Sequence, residues 1–341
     1  MKTSSQPLVS IVTPVYNEAE YLAECIESIL AQTYQNWDYT VVDNCSTDAS
    51  AEIARRYAAK DRRIRIRENQ QFLRALPNYN LALRQISPAS KYCKVVLGDD
   101  WIFPECLERM VAVAEKHPSV GIVSAYALEG RQVKWTGLPY PSTLISGREI
   151  CRKHFLEELY VFGSPTTVLY RADLVRSRDP FYNEANIHAD TEVCFALLRT
   201  SDFAFVHQVL TFTRVRRGSR STTSAENQTD LGGYLHTLVG HGPAFLTHEE
   251  FEVRLNRHLS EYYRFLGKSL ILGRDKRFWD YHKRQLTEAD VGFSRVRLAR
   301  AALATLGDAV LNPKDTIEKL LKRREHQDMA PAGEILADAI E

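Results

Sequence analysis

Six cysteines, Cys25, Cys45, Cys93, Cys106, Cys151 and Cys194, are scattered along the chain without a single CxxC pair. Most fall in helical or strand patterns, where a free thiol acts as a small apolar residue, and a reducing cytoplasm is the expected setting. Charge of one sign is missing too: 44 Lys and Arg against 43 Asp and Glu leave a formal net charge of +1. That balance removes any bulk electrostatic case for nucleic acid as a partner, so any basic surface has to be local. The sequence does not open with a basic region leading into an apolar stretch, and no apolar run is long enough to span a bilayer. A secreted or integral membrane protein is therefore not expected. Internal repeats and low-complexity tracts are absent as well. What remains is a globular composition: 341 residues with 44% hydrophobic content suffice for one large α/β domain plus an extension.

The first strand reads from Leu8 to Val12, an almost unbroken apolar run that suits a parallel strand covered on both faces, and it is expected to end at Pro14. Asn17 with Glu20 three residues on resembles a capping box, and Leu22, Cys25, Ile26, Ile29 and Leu30 recur at helical spacing. The pattern then repeats. A strand from Tyr39 to Val42 runs into Asp43, Asn44, Ser46 and Asp48, and a helix follows through Ile53, Ala54 and Tyr57. Two βα units in tandem predict a parallel sheet whose ligands bind beyond the carboxyl ends of its strands.

A third strand is expected around Ile64 and Ile66, and Pro77 with Asn78 opens a helix through Leu81, Leu83 and Ile86. A short apolar strand, Lys94 to Leu97, stops at Gly98, Asp99 and Asp100, and Pro104 starts a helix carrying Leu107, Met110, Val111 and Ala114. From Val120 the pattern turns to strands with irregular loops, interrupted by a helix capped by Ser146 and Glu149. Thr166 to Tyr170, Phe203 to Val206 and Leu210 to Val215 read as strands, and Asp190 stands at a helix start. Strand signals vanish past about residue 222; Thr247 with Glu250 caps the first of several helices, and the boundary is expected in Gly218 to Gln228.

Adjacent carboxylates at the end of a buried strand repel one another unless a cation or hydrogen bonds compensate. Oxygen ligands favour Mg²⁺ or Mn²⁺, which keep waters and bridge to substrate phosphates, so Asp99 and Asp100 point to a diphosphate partner. Taken alone the pair reads equally as a solvated turn with Asp100 capping the next helix.

The run SIVTPVYNEAEYLAECIESILAQTY, then VVDNCSTDAS, then an apolar strand ending GDDWIFPECLERM, resembles the inverting glycosyltransferases of family 2 over roughly residues 8 to 215. The resemblance implies an α/β GT-A fold, Rossmann-like with a mostly parallel central sheet flanked by helices. It would occupy residues 1–220, with the nucleotide-binding half at about 1–118 and the acceptor half at about 119–220, followed by an α-helical C-terminal region, 221–341. It implies a nucleotide-diphosphate sugar donor, a UDP-sugar first, and a hydroxyl acceptor on a saccharide or lipid-linked saccharide in cell-surface polysaccharide biosynthesis. Pro14, Tyr16 and Glu18 would contact the nucleoside, Asp43 the base or ribose, and Asn17 would cap the helix. For the metal, Mn²⁺ or Mg²⁺, Asp100 is the expected direct ligand, with Asp99 at the ribose or metal; Leu97 stands where family members usually carry a further acid.

In IHADTEVCFALL, Asp190 matches the second position of a family Glu-Asp pair that supplies the general base, Ala189 replaces the first, and Glu192 is the fallback. An ordinary aspartate with a pKa of about 3.9 is a weak base unless burial or neighbouring negative charge raises it. TRVRRGSRS resembles the segment that closes over the diphosphate, offering Arg214, Arg216 and Arg217. Ser164, Thr166 and Thr167 fall where the family places acceptor-facing residues, and Trp101 reads either as a ring that stacks on a sugar or as a cover over the helix start. Phe293, Val296, Leu298, Leu303 and Leu306, with Arg295, Arg297, Arg300, Lys322, Arg323 and Arg324, read as a basic amphipathic surface for peripheral membrane contact on the cytoplasmic face, for a homodimer, or for core packing. Two rivals stand beside the transferase: a non-catalytic nucleotide-sugar binder, and a sugar nucleotidyltransferase, whose usual glycine-rich triphosphate loop TPVYNEAEYL lacks.

Overall fold

The computed structural model describes residues 6–157, 159–216 and 229–311. The whole expected boundary segment Gly218 to Gln228, Arg217, and the basic residues Lys322, Arg323 and Arg324 lie outside them. The chain forms two compact units, Met1–Val215 and Arg216–Glu341.

In the first unit β1 (Val9–Val15), β2 (Trp37–Asp43), β3 (Ile64–Glu68) and β4 (Tyr92–Val95) alternate with helices α1 (Leu22–Leu30), α2 (Ser50–Ala58) and α3 (Ala75–Leu83). β1 pairs in parallel with β2 and with β4, and β2 with β3, so the carboxyl ends of all four strands share one edge. Every residue of β1 is buried, as its apolar run requires. The strand continues through Pro14 instead of ending there. Val15 O accepts from Asn44 N–H on the β2 side, whereas Val12 O accepts from Val96 N–H on the β4 side. Pro14 alternates with Val15 and faces β4 beyond the last residue of that pairing, so its missing donor costs no ladder bond. β3 lies at the sheet edge, where exposed Arg65 and Arg67 discourage further pairing.

Beyond β4 the chain turns through Gly98, Asp99 and Asp100 into β5 (Trp101–Ile102), a two-residue strand the pattern did not announce. Then follow α4 (Cys106–Lys116), β6 (Val120–Glu129), β7 (Gln132–Lys134), β8 (Leu144–Ile145), α5 (Gly147–Glu157), β9 (Leu169–Arg171), α6 (Ala172–Arg176), α7 (Ala189–Leu197) and β10 (Asp202–Thr213). β9 runs antiparallel to both β4 and β6, and β10 runs parallel to β6. This arrangement returns the end of β10 to the edge where β4 ends.

Two expectations change here. Thr166 to Tyr170 is not one strand: a 3-10 turn at Pro165–Thr167 precedes β9. Phe203 to Val215 is not two strands but the single β10, whose register shifts between Val206 and Val209 and between Val209 and Thr211 absorb the polar break. The core joins Cys25, Ile26 and Ile29 of α1 and Leu107 and Met110 of α4 to the sheet. All six cysteines are free, and five are buried.

The second unit contains α8 (Thr229–Phe245), α9 (His248–Ile271), α10 (Lys276–Glu288) and α11 (Arg295–Leu311). Thr247 and Glu250 form the expected capping box at α9. Leu235, Leu259, Tyr262, Leu266, Phe278 and Leu286 build its core, against which Leu298 and Ala301 pack. Gly267 lets α11 approach closely, since a Cβ there would lie 2.7 Å from the main chain of Ala301. The other face of α11 is exposed: Val296, Leu303 and Leu306 are 61%, 68% and 48% accessible. No helix among the described residues is long and apolar enough to cross a membrane.

Candidate active site

The loops after β1 and β2 are laced together by hydrogen bonds. Asn17 N–H donates to Ser46 Oγ at 3.0 Å, Glu18 N–H to Ser50 Oγ at 2.8 Å and Ala19 N–H to Asp48 Oδ2 at 3.0 Å. In return Thr47 N–H donates to Asn17 Oδ1 at 2.8 Å. Asn17 is therefore not a helix cap: it has φ +54°, a conformation asparagine tolerates, and Tyr21 stands at the N-cap of α1 instead. The polar residues of DNCSTDAS that suggested a crevice bind the two loops to one another.

Asp43 ends β2 in register with Val15, and is 4% exposed. Its Oδ2 accepts from Ser46 N–H at 3.1 Å, while its buried Oδ1 has no hydrogen-bond partner among the described residues. Such a buried acceptor is costly to leave unfilled. Beside it, Asn44 accepts from Leu73 N–H and from Asn69 Nδ2, both at 2.9 Å, and donates to Leu73 O at 2.7 Å. The loop so pinned sets Phe72 against Tyr16 in an edge-on contact with centroids 4.9 Å apart. Both rings are exposed, at 58% and 45%. Phe72 reads locally as no more than an apolar residue in a polar loop; Asn44 and Asn69 carry the placement.

The acidic turn lies at the same edge. Gly98 allows Glu18 to close on it, because a Cβ there would meet Glu18 Cγ at 3.2 Å. Asp100 is 2% exposed and both its oxygens are engaged: Thr166 Oγ1 donates to Oδ2 at 2.6 Å and Arg214 N–H to Oδ1 at 3.0 Å. Burial first, and the charge of Asp99 second, push its pKa up to about 7 against these two bonds. Asp99 is the more accessible carboxylate of the two. Arg214 spans the turn: Nε donates to Asp99 O at 3.1 Å, Nη2 pairs with Glu24, and the guanidinium lies 4.2 Å from the Tyr21 ring centroid.

The acceptor-side expectations divide. Thr166 is fully buried, and its hydroxyl also accepts from Leu97 N–H at 3.1 Å, so it braces the acidic turn instead of facing a sugar. Ser164 is half-buried, its hydroxyl 3.5 Å from that of Thr213 just before Arg214. Trp101 stacks on Phe212 with centroids 4.8 Å apart and lies tilted against Phe103 at 4.7 Å, which occupies part of the ring expected for a sugar. Asp190 is the second residue of α7, beyond its N-cap His188, and its charge bears on buried Tyr170, Tyr182 and Cys194. Glu192 accepts from Asn186 Nδ2 at 2.7 Å and from Asn183 Nδ2 at 3.1 Å, a clamp that argues against the fallback base. Pro14 is buried in β1, and Arg216 opens the second unit.

Among the described residues no group of three or more His, Cys, Asp or Glu could hold a metal ion. The turn nevertheless fits a hard divalent cation that takes one or two carboxylates and fills its shell with water and phosphate oxygens. Burial raises the pKa of Asp100 first and the charge of Asp99 second, and the second of these is what such a cation would relieve.

A parallel sheet with interlaced polar loops and an acidic turn at one edge places the chain among α/β proteins that bind ligands there. The model of the glycosyl transferase family 2 matches residues 10–178. EpsE of Bacillus subtilis, named as a glycosyltransferase, is 33% identical over 156 residues, 43% of this chain and 55% of EpsE. RT0329 of Rickettsia typhi, also named as a glycosyltransferase, is 30% identical over 225 residues, 65% of this chain and 68% of that protein. The chain thus spans about half the length of EpsE. Among solved structures, S. aureus TarS in complex with UDP-GlcNAc superposes with a TM-score of 0.63 at 17% identity, covering 86% of this chain and 87% of that one. A mannosyltransferase from Pyrobaculum calidifontis in complex with GDP-Man and Mn²⁺ superposes with a TM-score of 0.53 at 14% identity, covering 89% and 88%. The chain belongs to glycosyl transferase family 2, and its fold is the GT-A fold.

Proposed function

We propose that the protein transfers a sugar, with inversion, from a nucleotide-diphosphate donor to a hydroxyl of a saccharide or lipid-linked saccharide, in the biosynthesis of a cell-surface polysaccharide. The acidic turn carries this reading: two adjacent carboxylates, one buried and strained in charge, sit at the edge shared with the open acceptor of Asp43. Tyr16, Phe72, Glu18 and Asp43 hold the nucleoside, with Pro14 shaping the strand end beneath them. A bound Mn²⁺ or Mg²⁺ supplies charge neutralisation for the departing diphosphate. Asp99 and Asp100 would hold that ion, and Arg214 donates to phosphate oxygens. Asp190 takes the proton from the acceptor hydroxyl as its oxygen bonds to the anomeric carbon. The bond from that carbon to the diphosphate oxygen breaks on the opposite face, and its electron pair leaves with the nucleotide. Ser164 and the open edge of Trp101 face the acceptor.

The outer side of α11 supports peripheral contact with anionic lipid at the cytoplasmic face of a membrane. Exposed Val296, Leu303 and Leu306 are accompanied by Arg295, Arg297 and Arg300, with no acidic residue from Val291 to Gly307. A lipid-linked acceptor fits such a location. The test of the whole reading is a panel of UDP- and GDP-sugars with Mn²⁺, read by nucleotide release and by the anomeric configuration of the product. Transfer with inverted configuration is expected; retained configuration, or nucleotide binding without turnover on a broad acceptor panel, overturns it, the latter in favour of a non-catalytic binder.

A further inference from the structure

Lys94 stands in β4 between Cys93 and Val95, and its side chain is 0% exposed. Every other residue of that short strand is buried too, so the position fits an apolar side chain, and an ammonium there is costly unless its donors are filled. Nζ donates to two main-chain carbonyls, those of Thr166 and Val168. Both lie where the chain has left the sheet, since β9 pairs with β4 only from Leu169, opposite Lys94, onward. The lysine therefore supplies the partner that a missing strand residue would have supplied. Burial also holds its pKa below the ordinary value.

Thr166, fixed from below in this way, touches the acidic turn at both ends. Its hydroxyl accepts from Leu97 N–H at 3.1 Å and donates to Asp100 Oδ2 at 2.6 Å. We propose that Lys94 is a positioning residue for the acidic turn, acting through Thr166 on Asp100. The proposal rests on the reading above that this turn holds the donor's metal and diphosphate. Without the lysine, the 3-10 turn at Pro165–Thr167 loses its anchor to β4, and the carboxylate pair loses a fixed geometry while every metal-facing residue is still present.

The experiment compares Lys94→Met, Thr166→Val and the double variant. Free Mn²⁺ is followed by electron paramagnetic resonance in the presence of UDP or GDP, whichever gives the wild-type protein the larger thermal shift. Partners one step behind a metal ligand set its affinity by about 10- to 100-fold, so Thr166→Val is expected to raise the apparent Kd for Mn²⁺ about tenfold and Lys94→Met about fivefold. The double variant should be no weaker than Thr166→Val alone, and nucleotide affinity in chelator should be unchanged. A wild-type Kd in Lys94→Met, or effects that multiply in the double variant, overturns the proposal. If Lys94→Met does not fold, Lys94→Gln, which keeps one donor inside, takes its place with the same criterion. Should the wild-type protein itself bind no Mn²⁺ with either nucleotide, the metal reading fails. Lys94 is then judged by amide exchange: local acceleration at Leu97 and Arg214 in the variant supports its role, and unchanged exchange removes it.

Discussion

The main-chain N–H of Arg214 donates to Oδ1 of Asp100 across 3.0 Å, tying the residue after β10 to the turn after β4. Its guanidinium separately reaches Asp99 O and Glu24. Mutation separates the two roles, because any substitution except proline keeps the N–H. Arg214→Ala is expected to melt close to the wild-type temperature while kcat/KM for the donor falls about 100-fold. Steady-state kinetics beside a thermal melt check this; an unchanged kcat/KM would remove Arg214 from the phosphate site.

Asp190 and Glu192 lie two residues apart on one helix turn yet are expected to behave oppositely. Asp190→Asn should lower kcat by about 1,000-fold with nucleotide affinity retained. Glu192→Gln keeps an acceptor for only part of the clamp on Asn183 and Asn186, and should lower the melting temperature with a far smaller loss of kcat. Calorimetric nucleotide titration and single-turnover rates distinguish the pair.

The stability of metal-free protein should depend on pH through Asp100. Its pKa is raised on folding from 3.8 to about 7, so the folded state binds the proton more tightly than the unfolded state. The contribution is full below the unfolded value and is lost as pH rises through the folded one. In chelator, the melting temperature should fall across that window, and the fall should be shallower in Asp100→Asn. Parallel curves for the two proteins would contradict the burial of this charge.

Phe72 offers an exposed ring beside Tyr16, held there by Asn44. Loss of one stacking face is worth about 1 kcal/mol, so Phe72→Ala should weaken UDP or GDP binding about fivefold. Isothermal titration reads it, and wild-type affinity in the variant would place the base elsewhere.

On α11, Leu303→Glu should abolish sedimentation with phosphatidylglycerol vesicles and leave the fold intact, whereas phosphatidylcholine vesicles should bind neither protein. A change from dimer to monomer in the variant without any vesicle binding would assign the face to a second copy.

The buried strands were legible because their residues are mostly apolar: β1 and β2 need only be read in order, and the acidic turn follows from where β4 stops. Misreadings cluster where a side chain answers to a partner far along the chain. Asn17 looks like a cap until Thr47 and Ser46 are seen to bond it. Thr166 looks like a strand residue facing a sugar until its hydroxyl is found on Asp100, 66 positions away. Lys94 carries no local pattern at all, since its two acceptors are carbonyls beyond residue 165. Periodicity reports which face of an element is covered, and says nothing of which polar group meets which.

The lacing of the β1 and β2 loops should give this surface edge the exchange behaviour of an interior. Main-chain N–H groups of Asn17, Glu18, Ala19, Thr47 and Ser50 are all donated to side chains of the two loops, although Asn17 and Thr47 are solvent-exposed. Opening either loop breaks bonds belonging to the other, so the two should unfold as one cooperative unit, with slow deuterium uptake where exposure alone would suggest rapid uptake. A donor would then meet a wall already in place, and little of its binding energy would be spent on ordering that wall.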